Sequence, residues 1–142
     1  MDKMRIMLVD DEEGFLSTTK KLLERKGIHV TTATSGHEAL EKLIGESVHV
    51  LILDVKMPGM DGVAVLKAVK SRYPLVQVVM LTGHGTVDSA LEGLRSGATD
   101  YLMKPIDIDE LIAKAEEAFA RGQIMEEKIR VAEGKTPEKP QK

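Results

Sequence analysis

Short apolar runs alternate with amphipathic stretches along this chain, and that alternation leaves few folds open. A strand followed by a helix, repeated, builds a parallel sheet with helices laid over its faces. The runs Arg5–Val9, Val48–Leu53 and Val76–Leu81 are rich in Val, Ile, Leu and Met and do not alternate, so they are expected to be strands buried on both faces. His29–Thr34 is rich in threonine and Thr99–Met103 carries Asp100, which places these two at the sheet edges. Five strands with the second and fifth outside, joined by right-handed crossovers, give the order 2-1-3-4-5: a doubly wound α/β fold with helices on both faces. Helices are expected at about Glu13–Lys26, Ser35–Ile44, Gly62–Tyr73 and Val87–Ser96, with a fifth from about Ile108. Gly27 and Gly97 stop the first and fourth, and Pro74 follows the third.

Composition narrows the setting. A chain of 142 residues has room for one domain and a short appendage, and a domain of that size buries roughly 70 % of its unfolded surface without a metal or disulfide staple. The absence of cysteine removes disulfides, thiolate catalysis and zinc–thiolate sites, and fits a reducing, cytoplasmic compartment. The apolar run near the start is too short to span a membrane or to act as a signal peptide. A formal net charge of −3 with both signs interspersed indicates no direct nucleic-acid surface. The last eight or so residues, with Pro137 and Pro140 among Lys, Glu and Gln, have no core to join and are expected to be disordered.

In an open parallel sheet, ligands bind beyond the carboxyl ends of the strands, where the strand order reverses. Here the reversal lies between the first and third strands. The first strand ends in Asp10-Asp11, the third in Asp54, the fourth in Thr82 and the fifth in Lys104. Singly, each has an ordinary explanation. Asp10 or Asp11 would cap the helix that follows, Asp54 would form a turn before Met57-Pro58-Gly59, Thr82 would start a loop, and Lys104 would be a solvated strand end. Their conjunction is different, because three carboxylates converging on one crevice repel each other unless a cation sits among them. An oxygen-only donor set suits Mg²⁺, a carboxylate can be a nucleophile toward phosphorus, and a lysine and a hydroxyl nearby would stabilise the transferred oxygens.

The pieces LVDDE (Leu8–Glu12), LDVKMPGMDG (Leu53–Gly62), LTGHG (Leu81–Gly85) and GATDYLMKP (Gly97–Pro105), at these spacings, resemble the receiver domains of two-component response regulators from about Arg5 to Phe119. The resemblance implies a receiver domain over residues 1–121 that accepts a phosphoryl group on Asp54 in a Mg²⁺-dependent reaction. It implies metal ligation by Asp11, Asp54 and the backbone carbonyl of Lys56, with Asp10 acting largely through water. Thr82 and Lys104 would contact the phosphoryl group, Tyr101 would turn inward on activation, and Lys104–Pro105 would be a cis peptide. The implied partners are a sensor histidine kinase or phosphotransfer protein, and a downstream protein or output domain, without membrane attachment. Such a chain is not an enzyme with a separate substrate; it catalyses only its own phosphoryl transfer and dephosphorylation. Whether it stands alone or is excised from a longer regulator stays open.

Two other functions compete. A flavodoxin-like or other nucleotide-binding enzyme could share the strand order, but it would need a Gly- and Ser/Thr-rich anion cradle after the first strand, where this chain has Asp10, Asp11, Glu12 and Glu13. A scaffold that no longer phosphorylates would usually lack one of Asp11, Asp54, Thr82 or Lys104, and all are present. Gly59 and Gly62 bracket the loop after Asp54, and His84 lies beside the expected pocket. Gly93 inside the fourth helix reflects either close packing or a segment built to shift. The histidines at 29, 37 and 49 look structural or exposed. The fifth helix continues to about Glu133 with Ile108, Leu111, Ala115, Ala118, Gly122, Met125, Ile129 and Ala132 at alternating steps of three and four. Residues 122–134 are therefore expected to form a helical extension before the tail at 135–142: either a frayed, partly exposed extension or linker stump, which Gly122 and the small alanines favour, or a seat for homodimerisation or for a partner.

Overall fold

The computed structural model describes residues 4–56, 61–83 and 87–134. Five strands and five helices alternate: β1 Arg5–Val9, α1 Glu13–Arg25, β2 His29–Ala33, α2 Gly36–Gly45, β3 Val50–Asp54, α3 Gly62–Arg72, β4 Gln77–Thr82, α4 Val87–Arg95, β5 Asp100–Met103 and α5 Ile108–Ala132. The strands form one parallel sheet in the order β2-β1-β3-β4-β5, as expected from the sequence.

Because side chains alternate across a strand, each interior strand feeds two cores. Met7, Leu51, Leu53, Val78 and Met80 point to the side covered by α2, α3 and α4. Ile6, Leu8, Val50, Ile52, Val79 and Leu81 point to the side covered by α1 and α5. Every residue of β3 and β4 is buried, whereas β2 and β5 are mixed, which is why the interior runs carry no polar alternation and the edges do.

The expected strands needed small shifts. β3 begins at Val50 rather than Val48 and takes in Asp54, and β4 begins at Gln77 and takes in Thr82. The apolar run marks where a strand is buried, but its ladder continues until the backbone turns: Val55 N still donates to Leu81 O at 2.9 Å. Asp54 and Thr82 are thus the last residues of paired strands, in a more fixed setting than a loop start. Gly27 and Gly97 terminate α1 and α4 at φ +82° and +113°, a backbone region that costs glycine little.

Gly93 is explained by packing. A β-carbon there would lie 3.2 Å from Met80 Cγ, so α4 sits close against β4. Gly122 has a similar reason, since its β-carbon would approach Gln77 Cγ at 3.3 Å and Leu75 O at 3.5 Å. The covering part of α5 therefore runs one turn beyond its buried residues Leu111, Ala115 and Ala118. Past it, Ile124, Met125, Ile129 and Val131 are exposed by 41 to 58 %. No helix among the described residues is long and apolar enough to cross a membrane. Gly59, Gly85 and the tail from residue 135 lie outside the described residues.

Candidate functional site

The parallel strands bring their carboxyl ends to one edge of the sheet. Asp10 follows β1 and is fully buried; its Oδ1 accepts from Glu12 N at 2.9 Å. The expectation that Asp10 or Asp11 caps α1 is not met. The N-cap is Glu12, whose side chain makes no capping bond, and the buried Asp10 carboxylate instead accepts from Glu12 N. Asp54, at the end of β3, is 8 % exposed, and its Oδ1 accepts from Lys56 N at 3.2 Å. Asp10, Asp11 and Asp54 each offer a carboxylate oxygen, and these oxygens lie within 4.8 Å of one another.

Lys104 enters from the end of β5, where its backbone N donates to Thr82 O at 2.7 Å and its peptide bond to Pro105 is cis. Its Nζ stands 2.6 Å from Asp10 Oδ2, 3.1 Å from Glu12 Oε1 and 3.8 Å from Asp54 Oδ2. The Phe15 ring lies beneath it, with its centroid at 4.9 Å. Asp10 Oδ2 is buried and accepts no well-aligned hydrogen bond. At 2.6 Å the Lys104 ammonium is close to it, but off the direction a hydrogen bond requires, so their contact is an ion pair and the oxygen still has capacity for a ligand.

Charge crowding sets the electrostatics. Burial, followed by the charge of Asp10, pushes the Asp54 carboxyl up to about 6; Lys104 and the Lys56 amide oppose the rise, and Asp11 adds to it. For Lys104, burial is the largest single influence and pulls its pKa down. The close contacts with Asp10 and Glu12 and the charges of Asp10 and Asp54 together outweigh it, and the net change is upward. Asp11, Asp54, Lys56 and Lys104 line a common cleft of about 300 Å³. Three carboxylates with one buried oxygen lacking a hydrogen bond, and no sulfur or imidazole among them, are a donor set for a small hard cation.

Thr82 is buried at the end of β4, just before Gly83, which also lines the cleft. Its hydroxyl donates to Leu102 O at 3.5 Å, the outer limit of a hydrogen bond. Tyr101 stands apart on the surface, 39 % exposed, with the Lys114 ammonium 6.0 Å from its ring centroid and Lys114 paired to Asp100 at 2.9 Å. His84 lies outside the described residues. His29 and His37 are exposed; His49 Nδ1 accepts from Arg5 N at 3.0 Å and its ring meets Phe119 edge-on. Sequence reasoning missed the hold of Glu12 and Phe15 on Lys104. The acidic run gave a signal that Glu12 is near the site, but nothing in it named the partner.

The sequence profile of the response regulator receiver domain matches residues 6–116. The chain belongs to this family. Phosphorylation-based signalling is the general function of receiver domains, and this one carries the acidic cluster and the lysine at the strand ends described above. It is 39 % identical over 123 residues to the DNA-binding transcriptional regulator NtrC of Escherichia coli K12, covering 87 % of this chain and 26 % of that protein. It is similarly 39 % identical over 119 residues to the transcriptional regulatory protein ZraR of the same strain, covering 84 % of this chain and 27 % of that one. The receiver thus spans about a quarter of these curated relatives. Among solved structures, a response regulator receiver domain protein from Clostridium thermocellum superposes with a TM-score of 0.82 at 35 % identity, covering 86 % of this chain and 98 % of that one.

Proposed function

We propose that this receiver domain takes a phosphoryl group onto Asp54 from a phosphohistidine of a sensor histidine kinase or phosphotransfer protein, and passes the signal on through a changed surface. The observation that carries the reading is Asp54 itself. It ends an interior strand and is almost buried, yet it opens onto a cleft shared with Asp11 and Lys104. A carboxylate oxygen of Asp54 forms the new bond to phosphorus as the bond to the donor imidazole nitrogen breaks, and the imidazole leaves with the electron pair. Lys104 pairs with one oxygen of the incoming group, and the weakly held Thr82 hydroxyl turns to donate to another. Asp11, Asp54 and the Lys56 carbonyl, with Asp10 acting largely through water, would hold Mg²⁺, which would supply positive charge to offset the crowded carboxylates and the phosphoryl oxygens. The domain acts on itself and has no separate substrate to turn over.

The switch follows from the same geometry. As Thr82 moves toward the phosphoryl group it vacates space near β5, and Tyr101, now outside, rotates into it. The face of α4, β5 and α5, where Leu91, Tyr101 and Met103 are exposed, is remodelled for a downstream protein or output domain. The test is one sample in two measurements. With Mg²⁺ and acetyl phosphate, the intact mass is expected to rise by one phosphoryl group, and hydrogen exchange to change across residues 83–105. No mass gain would overturn the acceptor reading; exchange altered only around Asp54 would overturn the switch.

The extension from residue 122 to residue 134 is proposed as a seat for self-association, because its exposed Met125 and Ile129 continue the stripe that Leu111, Ala115 and Ala118 bury. Truncation after Gln123 is expected to leave folding and phosphoryl uptake intact and to shift the sedimentation coefficient of the full chain to that of a monomer. A dimer that survives the truncation would place the interface elsewhere.

A further inference from the structure

Lys104 is not centred on the residue it is expected to serve. Three contacts draw its ammonium toward the start of α1: Asp10 at 2.6 Å, Glu12 at 3.1 Å and the Phe15 ring at 4.9 Å. Asp54, at 3.8 Å, lies beyond hydrogen-bond reach. Asp10 is buried and fixed, but the Glu12 side chain is 66 % exposed and makes no capping bond to α1, so this position is free to be another residue without cost to the helix. We infer that Glu12 is a positioning residue: its carboxylate holds the Lys104 ammonium away from Asp54 and so lowers the affinity of the site for a phosphoryl group.

The physics is a competition for one cation. A phosphoryl group on Asp54 needs the Lys104 charge, and in the proposed competition Nζ moves off Glu12 to give it. The free energy of the Glu12 contact is therefore subtracted from the phosphorylated state and not from the resting one. Glu12 is solvated, so the effect is modest, and Asp10 retains the lysine near the site when Glu12 is gone. The side chain sets how readily the acceptor is filled without touching the transferred group.

This inference rests on the proposed function, and the test separates the two. The intact chain, Glu12→Gln and Glu12→Asp are titrated with beryllium fluoride in the presence of Mg²⁺. Trifluoroberyllate mimics a phosphoryl group on a carboxylate, and its bound form is read by fluorine NMR. Glu12→Gln removes the charge. Glu12→Asp keeps the charge near the cleft but is one methylene too short to hold Nζ. Glu12→Gln is expected to keep the melting temperature of the parent and Glu12→Asp, at the N-cap of α1, to keep or raise it; both are expected to bind about two- to fivefold more tightly, the range of an ion pair with an exposed partner. Equal affinity in all three chains would overturn the inference alone. Tighter binding by Glu12→Gln but not by Glu12→Asp would also overturn it, because the charge and not the hold on Lys104 would be at work. A parent chain that takes up no trifluoroberyllate would overturn the proposed function itself.

Discussion

Asp54→Asn is expected to abolish labelling: with Mg²⁺ and acetyl phosphate or phosphoramidate, the intact mass of the variant stays at that of the unmodified chain. An amide is nearly isosteric with the carboxylate and is not a nucleophile, so the fold is retained while the acceptor is lost. The same substitution has a second, opposite effect on stability. Asp54 is pushed up to about 6 from its ordinary 3.8, chiefly by burial and by Asp10. A carboxyl whose folded pKa is raised favours the native state fully below 3.8, and this contribution is lost as pH rises through about 6. At pH above that window, in metal-free buffer, Asp54→Asn is therefore expected to be more stable than the parent by on the order of 2 kcal/mol. The gain shrinks as pH falls through about 6 and disappears below 3.8. Urea unfolding of both chains across this range checks it. Stoichiometric labelling of the variant would move the acceptor elsewhere, and a stability gain independent of pH would rule out ionisation as its cause.

Asp11→Ala carries the other large effect. Asp11 is the exposed member of the acidic cluster, its oxygen within 4.8 Å of those of Asp10 and Asp54. Loss of an outer-shell partner alone typically costs a metal site about tenfold or more, and a direct ligand costs no less. Calorimetric titration with Mg²⁺ is expected to show affinity reduced by at least about tenfold, with labelling slowed in parallel. Metal-free stability should hold or rise, since the charge of Asp11 is one of those that oppose ionisation of Asp54. Unchanged Mg²⁺ affinity would remove Asp11 from the proposed ligand set.

The fold was legible because burial on both faces leaves a plain mark. Val50 to Leu53 and Val78 to Leu81 are apolar throughout, and only an interior parallel strand tolerates that. The placement of Asp54, Thr82 and Lys104 was legible for a related reason, since residues at the ends of neighbouring parallel strands must share an edge. What could not be read is how side chains lean once they arrive. Glu12 and Lys104 are 92 residues apart, and their contact depends on rotamers at the start of one helix and the end of one strand. The burial of Asp10 against the exposure of Asp11 is of the same kind, because two adjacent aspartates differ only in which way the turn directs them. Gly93 and Gly122 signalled a special requirement, but the neighbours that impose it, Met80 and Gln77, lie on β4.

Gly62 gives the site a direction. A β-carbon at this position would fall 2.6 Å from the backbone oxygen of Asp54 and 2.7 Å from Val55 Cα, and Gly62 N donates to Val55 O at 2.9 Å. The first turn of α3 is therefore pressed against the end of the acceptor strand with no slack between them, and together they form an abutment. Bulk added at the Asp54 carboxylate cannot be taken up by yielding on that flank. Any displacement would be left to the opposite flank, where, among the described residues, the Thr82 hydroxyl is held by the 3.5 Å contact to Leu102. With one flank fixed and the other loosely pinned, the proposed draw of Thr82 toward a group on Asp54 would be met by the hydroxyl leaving Leu102 and β5, and a chemical event without inherent direction would acquire one.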